Sequence, residues 1–406
     1  MKALKKTSPS HPKADICVVG GAGHVGLPLS IVLAQYGHRV LVYDIDHKAL
    51  ETINQGKMPM MEKGAEPLLH KALAQRRLIT SSHPSDMKGV PIIIITIGTP
   101  VDEFQNPILK NITQCMEKLV PWLFDGQLLI LRSTVYPGVT AWVSKYLHSK
   151  GKMVKVAFCP ERIVQGFAIE ELQELPQIVS GTTPEAENAA AQLFRQITQY
   201  VVRLSPTEAE FVKLFSNAYR YIHFAISNQF YMMTTTAGVD YYRVLEGMKK
   251  NYPRIGDVPK AGFSAGPCLY KDTMQLVAFC RNQFSLGQSA TLINEGLPLF
   301  VVDQIQRKHE LEKLTVGLLG MAFKADIDDP RSSLSYKLKK ILTFRARKVL
   351  TTDPYVKDDP ELLPLKRVLE ESDIIILGTP HKVYESLNLQ GKIVVDPWNF
   401  WPQSKN

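Results

Sequence analysis

Two segments that lie far apart in the chain have residue types that could do chemistry together. Cys268 lies within the segment GFSAGPCLYKD at 262–272, and a glycine pattern, GAGHVG, occupies 21–26. A nicotinamide cofactor accepts one hydride and leaves a carbonyl product, whereas a thiol beside it can hold an aldehyde covalently for a second oxidation. The two segments together therefore predict the oxidation of an alcohol to an acid.

The glycine pattern has the spacing of a dinucleotide-binding turn. Gly21 permits a tight turn after a strand, Gly23 lets the backbone approach a pyrophosphate, and Gly26 allows close packing of the following helix. The Asp44 carboxylate stands where it would accept hydrogen bonds from a ribose hydroxyl, which favours NAD because the 2′-phosphate of NADP would be repelled. A structural turn in another α/β protein is the alternative. The predicted cofactor contacts here are Gly21, Gly23, His24, Val25, Gly26 and Asp44.

The elements around this turn alternate between strand and helix. Short β-branched runs are separated by stretches with helical spacing of apolar residues, which is typical of a doubly wound parallel sheet. We expect this first domain to end near Pro206. The predicted strands are 15–19, 40–43, 92–97 and 128–131, and the predicted helices are 27–36, 67–74 and 140–149.

A long helix is predicted after this domain. Residues 207–251 contain no proline and only two glycines, and apolar residues recur at helical intervals, so we expect one helix with a break near Gly238. Such a helix can bridge two domains and carry a dimer interface, or its aromatic residues can belong to an intramolecular core. A second helical region follows Asp272 as far as about Arg307.

The last quarter of the chain again alternates between strand and helix. The predicted strands 315–319, 348–352, 373–377 and 392–396 indicate a second Rossmann-like sheet. The predicted fold class is therefore α/β, with two doubly wound Rossmann-like domains joined by a long central helix and a helical middle domain. The predicted domains are a basic tail at 1–13, a cofactor-binding domain at 14–206, a central helical and dimerisation domain at 207–307 and a C-terminal domain at 308–406.

The composition indicates a soluble globular protein. The chain has 406 residues, of which 45% are hydrophobic and 21% charged, enough for two or three domains with sizeable cores. A formal net charge of +9 favours an anionic partner. Because no nucleic-acid motif accompanies that charge, a phosphate-bearing small molecule fits better than DNA or RNA, and a merely basic surface is the alternative.

The cysteines and the apolar runs indicate a cytoplasmic protein. The five cysteines form no C-x-x-C pair and no cluster with histidine, which argues against a metal site and against a disulfide framework. The basic tail at 1–13 lacks the apolar core of a signal peptide. The longest apolar runs, such as 92–97, are too short to cross a bilayer, so no membrane partner is expected.

Several further segments, taken in order with those above, resemble the nucleotide-sugar 6-dehydrogenases, the family that includes UDP-glucose, GDP-mannose and UDP-N-acetylmannosamine dehydrogenases. The resemblance covers nearly the whole chain. It implies a four-electron oxidation of a sugar C6 hydroxyl to a carboxylate with two NAD+ and one water, and a C-terminal domain that binds the UDP-sugar. The segments are 21–26 with Asp44, 98–100, 133–138, 159–162, 213–217, 254–256, 262–272, 320–324 and 329–332.

Cys268 has the chemistry that such a reaction needs. Its thiol would attack the intermediate aldehyde to give a thiohemiacetal, from which a second hydride leaves to give a thioester that water hydrolyses. A buried structural thiol is the alternative. The glycines before Cys268 and the Lys-Asp pair after it favour the nucleophile.

The resemblance also implies roles for the residues around this thiol. Lys213 and Asn217 are four residues apart, so on a helix they share one face and can donate hydrogen bonds to one oxyanion. Asp272 resembles the carboxylate that organises water and proton movement at the thiol, and Glu161 resembles the residue that activates water for thioester hydrolysis. Thr134 is expected to position a water. Solvent-facing or capping roles are the alternatives.

Cationic side chains are expected to hold the phosphates. Arg254 and Lys324 match substrate-binding positions, and in relatives the arginine that corresponds to Arg254 reaches the pocket of the neighbouring subunit, which implies a homodimer. Arg331 resembles a residue nearer the cofactor. The predicted substrate contacts are Glu161, Arg162, Lys213, Asn217, Arg254, Gly262 and Lys324, and the further predicted cofactor contacts are Thr99, Thr134 and Arg331.

Departures from the family pattern bear on the substrate. The approach to the thiol, GFSAGPC, is one residue longer than the usual GFGGxC and is stiffened by Pro267. Gln165 occupies a position that is acidic in UDP-glucose enzymes, while the motifs CPER and KLFSN resemble the N-acetylhexosamine branch. We therefore predict a UDP-N-acetylhexosamine substrate of the UDP-N-acetylmannosamine type, used for polysaccharide precursors, with UDP-glucose as the alternative.

Two alternatives from other functional classes stay open. A simpler hydroxyacid dehydrogenase would use Lys213 and Asn217 without the thiol and would form one NADH per substrate instead of two. A non-catalytic regulatory protein that binds NAD and UDP-sugars would show no turnover.

Overall fold

The computed structural model describes residues 14–102, 108–263 and 266–401. The predicted basic tail and two residues of the atypical loop, Ser264 and Ala265, lie outside the described residues. The chain divides into two compact units, Met1–Lys213 and Leu214–Asn406, each with its own sheet. The three-domain division predicted above stays a prediction.

The first unit contains an eight-stranded sheet in the order β3-β2-β1-β4-β5-β6-β7-β8. All described neighbours run parallel except β6 and β7, which are antiparallel. The order reverses beside β1, which pairs with β2 on one side and β4 on the other, and ligands of open α/β sheets bind at such a reversal. The strands are β1 Ile16–Val19, β2 Val40–Tyr43, β3 Leu78–Ser81, β4 Ile92–Ile95, β5 Leu128–Leu131, β6 Lys155–Phe158, β7 Gln177–Gly181 and β8 Val201–Arg203.

Helices cover both faces of this sheet, which is why its central strands are apolar along their whole length. Two helices begin at local side-chain caps, since Asp46 accepts a hydrogen bond from the Ala49 N–H and Thr183 accepts one from the Ala186 N–H. The helices are α1 Gly26–Gln35, α2 His47–Asn54, α3 Ala65–Ala74, α4 Lys110–Leu119, α5 Val139–Ser149, α6 Ala168–Glu174 and α7 Pro184–Phe194.

A long helix, α8, spans Pro206–Thr236 and includes the boundary between the units. The second unit has a four-stranded parallel sheet in the order β10-β9-β11-β12. Its strands are β9 Thr315–Leu319, β10 Lys348–Thr352, β11 Ile374–Leu377 and β12 Ile393–Val395. Its further helices are α9 Tyr241–Lys249, α10 Leu269–Phe279, α11 Ser285–Gln306, α12 Leu334–Thr343 and α13 Leu365–Glu371. Short 3-10 turns occur at Pro84–Met87, Val120–Trp122, Pro253–Ile255, Leu311–Lys313 and Lys382–Tyr384.

The predicted fold class is confirmed, and most predicted elements are present. Four predicted strands have the same bounds as β2, β5, β9 and β10. The predicted break near Gly238 is also present, because α8 ends at Thr236 and Gly238 has a φ of +70°. The sequence analysis missed β3, β6, β7 and β8, which are three to five residues long and include polar or charged residues. Among the described helices, none is long and apolar enough for a membrane span.

Asp353, the residue after β10, is a buried carboxylate that ties together the loops at the end of the second sheet. Its side chain is fully buried, and His381 Nε2 lies 3.0 Å from its Oδ2. Burial alone would raise the pKa of Asp353, but the hydrogen bonds and the charge of His381, together with backbone N–H groups, lower this pKa to about 2. The two oxygens accept hydrogen bonds at 2.6–3.0 Å from the backbone N–H groups of Met321, Ala322, Tyr355 and Val356.

We predict that Asp353→Asn lowers the free energy of unfolding by roughly 2–4 kcal/mol at pH 7, because an amide puts N–H donors against N–H donors. The folded-state pKa lies below the unfolded value of about 3.9, so the carboxylate stabilises the fold above pH ~4 and this contribution, roughly 2 kcal/mol, is lost as the pH falls towards 2. Urea unfolding at several pH values measures the difference. Asp358→Asn, at an exposed position nearby, is the control. A difference that stays constant from pH 7 to pH 3 would contradict the prediction.

Candidate active site

The turn between β1 and α1 has two glycines that the chain itself requires. A Cβ at Gly21 would lie 2.6 Å from the Val18 carbonyl oxygen, and a Cβ at Gly26 would lie 2.5 Å from the Gly20 carbonyl oxygen. At Gly23, in contrast, a Cβ would meet within the described residues only the Gly20 oxygen, at an ordinary 3.5 Å. No neighbouring protein atom therefore demands a glycine at 23, which is the position where a pyrophosphate would approach the backbone.

The N-terminus of α1 suits an anion. The first turn of α1 has no acidic residue, and its N-cap residue Val25 makes no side-chain capping bond. The N-terminal N–H groups and the helix dipole therefore favour a phosphate there. His24 and Val25 are half-buried. Asp44 Oδ2 accepts a hydrogen bond from the Ala22 N–H at 3.0 Å, which places this half-buried carboxylate beside the turn. These residues fit the predicted dinucleotide.

Hydrogen bonds join the segment after β4 to the carboxyl end of β1 and to the segment after β5. Thr96 Oγ1 donates to the carbonyl oxygens of Val19 and Gly20 at 2.9 and 3.0 Å. Thr99 Oγ1 donates to the Thr134 carbonyl oxygen at 2.6 Å. The predicted cofactor residues Thr99 and Thr134 are therefore neighbours at the edge of the sheet where ligands bind.

Glu161 is buried and held by donors of its own unit. It forms an ion pair with Arg132, whose side chain is fully buried, and its Oε1 accepts hydrogen bonds from the backbone N–H groups of Arg162 and Ile163 at 2.7 and 3.0 Å. The Arg162 side chain donates to the Pro176 carbonyl oxygen at 2.5 Å. Sequence analysis missed Arg132, although it directly precedes the segment 133–138.

The cysteines differ sharply in exposure. Cys268 is exposed at the N-terminus of α10, and Cys280 is exposed at the C-terminus of the same helix. Burial raises the pKa of Cys17, and it raises the pKa values of Cys115 and Cys159 to about 12. The helix dipole favours a negative charge at the N-terminus of a helix and disfavours it at the C-terminus. Cys268 is therefore better placed than Cys280 to act as a nucleophile.

One turn into α10, Asp272 is fully buried beside Cys268. The Asp272 N–H donates to the Cys268 carbonyl oxygen at 2.9 Å. Its Oδ2 accepts a hydrogen bond from Asn217 Nδ2 at 2.6 Å, and its Oδ1 lies 2.9 Å from the Lys271 ammonium. The structure therefore brings together Asn217, Asp272 and Cys268. Lys213, the last residue of the first unit, is half-buried and precedes Asn217 by one turn of α8.

The loop after β9 also contacts the thiol segment. The Gly266 N–H donates to the Ser332 carbonyl oxygen at 3.4 Å. Arg331 donates to Asp329, with Nη2 2.6 Å from Oδ2. The hydrogen bonds to Asp329 raise the pKa of Arg331. Burial of the guanidinium lowers this pKa, and the nearby charges of Asp329 and Cys268 raise it further. The guanidinium is therefore within electrostatic range of the thiol, a relation that sequence analysis did not predict.

The remaining predicted substrate residues have different surroundings. Gly262 has a φ of +152°, and a Cβ there would lie 2.3 Å from the ring of Trp398, so packing alone requires this glycine. Arg254 is exposed, with its guanidinium 5.7 Å from the ring centroid of Tyr252. Lys324 is half-buried in the loop after β9. Among the described residues, no group of three or more His, Cys, Asp or Glu residues could hold a metal ion.

Solved structures and characterised relatives resemble the chain over nearly its whole length. The chain is 29% identical to the UDP-N-acetyl-D-mannosamine dehydrogenase of Pyrococcus horikoshii, over 93% of this chain and 94% of that one, and its structure matches that enzyme's with a TM-score of 0.89 at 28% identity over 96% of both chains. It is 28% identical to the NDP-N-acetyl-D-galactosaminuronic acid dehydrogenase of Ralstonia nicotianae, over 94% and 95%. A UDP-glucose dehydrogenase of Pyrobaculum islandicum matches with a TM-score of 0.87 at 25% identity, over 98% and 96%.

Family models cover most of the chain in three blocks. The NAD binding domain of the UDP-glucose/GDP-mannose dehydrogenase family matches residues 14–198, the central domain matches 207–296, and the UDP binding domain matches 317–403. The predicted NAD cofactor is thereby confirmed. The chain belongs to the UDP-glucose/GDP-mannose dehydrogenase family and is an NAD-dependent nucleotide-sugar dehydrogenase.

Proposed function

We propose that the chain oxidises the C6 hydroxyl of a UDP-N-acetylhexosamine of the UDP-N-acetylmannosamine type to a carboxylate, through a covalent intermediate on Cys268. The observation that carries the proposal is the exposed Cys268 at the N-terminus of α10, one turn before the buried Asp272, which is hydrogen-bonded to Asn217. The reaction balances as one alcohol, two NAD+ and one water giving one carboxylate, two NADH and three protons.

Lys213 and Asn217 are the proposed donors to the reacting sugar oxygen. Both lie on α8, one helical turn apart. An amide nitrogen carries two hydrogens, so Asn217 can donate one to Asp272 and the other to an alkoxide or a tetrahedral intermediate. A single donor of this kind is worth on the order of 3 kcal/mol of transition-state stabilisation. Asp272 thereby orients Asn217 as well as taking part in proton movement at the thiol.

Cys268 holds the aldehyde for the second oxidation. Its sulfur attacks the aldehyde carbon, the resulting thiohemiacetal gives up a hydride to the second NAD+, and water displaces the thiolate from the thioester. The N-terminus of α10 and the cationic Arg331 both favour the thiolate that attacks and later leaves. Glu161 is the proposed partner for the hydrolytic water. Its Oε1 accepts from the Arg162 and Ile163 N–H groups, and its Oε2 pairs with Arg132, so Oε2 has one further acceptor position for the water.

The phosphates of both ligands have proposed partners. The N-terminus of α1 with Gly23 would hold the NAD pyrophosphate, Asp44 would hold the ribose, and Thr99 and Thr134 would line the nicotinamide side. Lys324 and Arg254 would hold the UDP-sugar. Lys324 lies within the match to the family's UDP binding domain at 317–403, and Arg254 lies within the match to the central domain at 207–296. The exposed thiol of Cys268 favours a reducing compartment such as the cytoplasm.

A homodimer is part of the proposal. Five large apolar side chains of α8 are exposed on a single chain, and at about 100° per residue they fall within a stripe of about 60°. A second copy of the chain would bury this stripe, since soluble monomers seldom expose such a surface. The side chains are Phe215, Tyr219, Ile226, Phe230 and Met233.

We predict two NADH per sugar for the wild-type chain, and a loss of acid formation of roughly 10³-fold or more for Cys268→Ser, because an alkoxide is a poorer leaving group than a thiolate. NADH absorbance and chromatography of the acid product measure both. Cys280→Ser is the matched control, since it changes an exposed cysteine at the other end of the same helix, and it should keep the stoichiometry. Full acid production by Cys268→Ser would contradict the nucleophile, and one NADH per sugar in the wild type would favour a simple two-electron dehydrogenase.

We predict that UDP-N-acetylmannosamine gives the highest kcat/KM in a panel that also contains UDP-glucose, UDP-N-acetylglucosamine, UDP-N-acetylgalactosamine and GDP-mannose. The relatives that match nearly the whole chain include a UDP-N-acetyl-D-mannosamine dehydrogenase and an NDP-N-acetyl-D-galactosaminuronic acid dehydrogenase, and together with Gln165 they favour the N-acetylhexosamines. NADH formation at matched concentrations measures the ranking. A higher kcat/KM for UDP-glucose would make the chain a UDP-glucose 6-dehydrogenase. Binding of NAD and UDP-sugars without any turnover would favour the regulatory alternative.

We predict that Arg254→Ala raises the KM for the UDP-sugar by about 10-fold and leaves the KM for NAD unchanged, because one charge-assisted phosphate contact is lost. If Arg254 acts across the dimer, mixing this variant with Cys268→Ala after subunit exchange should restore wild-type kinetics in about a quarter of the sites, since each heterodimer has one intact site. Activity at low UDP-sugar concentration measures the recovery. A mixture no more active than the mean of its components would contradict the contact.

A further inference from the structure

Glu210 is a buried carboxylate on α8 that the proposed chemistry does not use. It is 1% exposed, and among the described residues no Lys, Arg or His side chain forms an ion pair with it. A buried carboxylate without a cation lowers stability unless hydrogen bonds replace its lost hydration. The hydrogen-bond donors around the Glu210 carboxylate therefore indicate its structural role.

Among the described residues, three hydrogen bonds reach the Glu210 side chain, and all three come from the N-terminus of α5. Its Oε2 accepts from the Gly138 N–H at 2.6 Å, and its Oε1 accepts from the Thr140 N–H at 2.9 Å and from Thr140 Oγ1 at 2.6 Å. Gly138, the N-cap residue of α5, has no side chain with which to cap the helix. Glu210 supplies the cap from 72 residues away, and its negative charge is favourable at that end of the helix dipole.

Helix capping alone does not require a partner so distant in sequence. In the same unit, α2 and α7 are capped locally by Asp46 and Thr183. At α5 the N-cap residue Gly138 has a φ of +96°, a conformation that is strained for Asp or Ser, so a local side-chain cap is disfavoured there. Unlike a local cap, Glu210 also links two distant parts of the chain, because its hydrogen bonds join the first turns of α8 to the segment that follows β5.

The segment after β5 and the first turns of α8 carry two residues with roles in the proposed reaction, Thr134 on the nicotinamide side and Lys213 at the reacting oxygen. Thr134 lies four residues before Gly138, and its carbonyl oxygen accepts the hydrogen bond from Thr99. Lys213 lies three residues after Glu210 on α8, a separation that places two side chains on adjacent positions of one helix face. The carboxylate therefore ties the backbone that carries Lys213 to the backbone that carries Thr134, wholly within the first unit.

We propose that Glu210 is a positioning residue, which fixes the backbone of Lys213 relative to the Thr134 segment and so places the Lys213 ammonium at the reacting oxygen. The inference rests on the proposed role of Lys213. A displacement of about 1 Å in such a group can lower the rate of the chemical step about 100-fold while substrate binding is retained.

The first test is Glu210→Gln. Gln has the same shape, but one of its two ends must point N–H donors at the donors of Gly138 or Thr140. We expect kcat to fall about 10-fold or more, the KM values for NAD and UDP-sugar to change less than about 3-fold, and the deuterium isotope effect on kcat with C6-deuterated sugar to rise as hydride transfer becomes limiting. An unchanged kcat and isotope effect would overturn the proposal.

Matched variants separate positioning from general destabilisation. Glu208→Gln changes an exposed carboxylate on the same helix and should leave kcat unchanged. Thr140→Val removes one of the three hydrogen bonds without changing the shape and should lower kcat by a smaller factor, whereas Thr140→Ser keeps the hydroxyl and should restore it. The Thr140 pair tests the proposal even if Glu210→Gln does not fold. Equal kcat values for Thr140→Val and Thr140→Ser would count against it.

A double-mutant cycle with Lys213→Ala identifies the residue through which Glu210 acts. If it acts through Lys213, adding Glu210→Gln to Lys213→Ala should lower kcat by less than about 2-fold further. The same fold-loss in both backgrounds would overturn the positioning role while leaving the proposed function intact. A Lys213→Ala variant with wild-type kcat would instead refute the proposed role of Lys213, so the two failures are distinguishable.

Discussion

The free-energy penalty for burying a carboxylate is the constraint on which the arrangement of the second unit depends. Asp272 is fully buried in the first turn of α10, where it would destabilise the fold without partners. Asn217 from α8 and Lys271 from its own helix provide them, at 2.6 and 2.9 Å. Because the hydrogen bond from Asn217 fixes α10 against α8, it also fixes Cys268, which lies one turn before Asp272. The hydrogen bond that stabilises the buried Asp272 therefore also sets the position of the Cys268 thiol.

The two Rossmann-like sheets use an aspartate at the corresponding position, after the second strand of each βαβ unit, in different ways. Asp44 is half-buried, and its hydrogen bonds are with the backbone N–H groups of Ala22 and Asp46, which leaves acceptor positions for a ribose. Asp353 is fully buried, and its oxygens accept from four backbone N–H groups and His381. The second aspartate thus holds its own loops together, a difference that explains why similar sheets need not bind the same ligand.

Sequence analysis singled out features whose signal is local and missed those that depend on tertiary contacts. The glycine turn at 21–26 and the segment 262–272 around Cys268 are recognisable because the residues of each are close together in sequence. Asn217 and Asp272 were each predicted, but nothing in the sequence shows that residues 55 apart share a hydrogen bond. Arg132 and Glu210 were missed for the same reason, since their partners lie 29 and 72 residues away. Their burial, which decides their role, is a property of the folded chain.

Helix N-termini show how the chain distributes its negative charge. The first turn of α1 has no acidic residue, so its positive end is available for an anionic ligand. At α5 the buried Glu210 occupies the corresponding end, so a phosphate or thiolate would meet a carboxylate there. At α10 the acidic residue of the first turn, Asp272, is hydrogen-bonded to Asn217 and paired with Lys271, which reduces its repulsion of a thiolate at Cys268. Of these three helix ends, those of α1 and α10 lack an uncompensated carboxylate, and they are the two at which the proposed reaction needs negative charge.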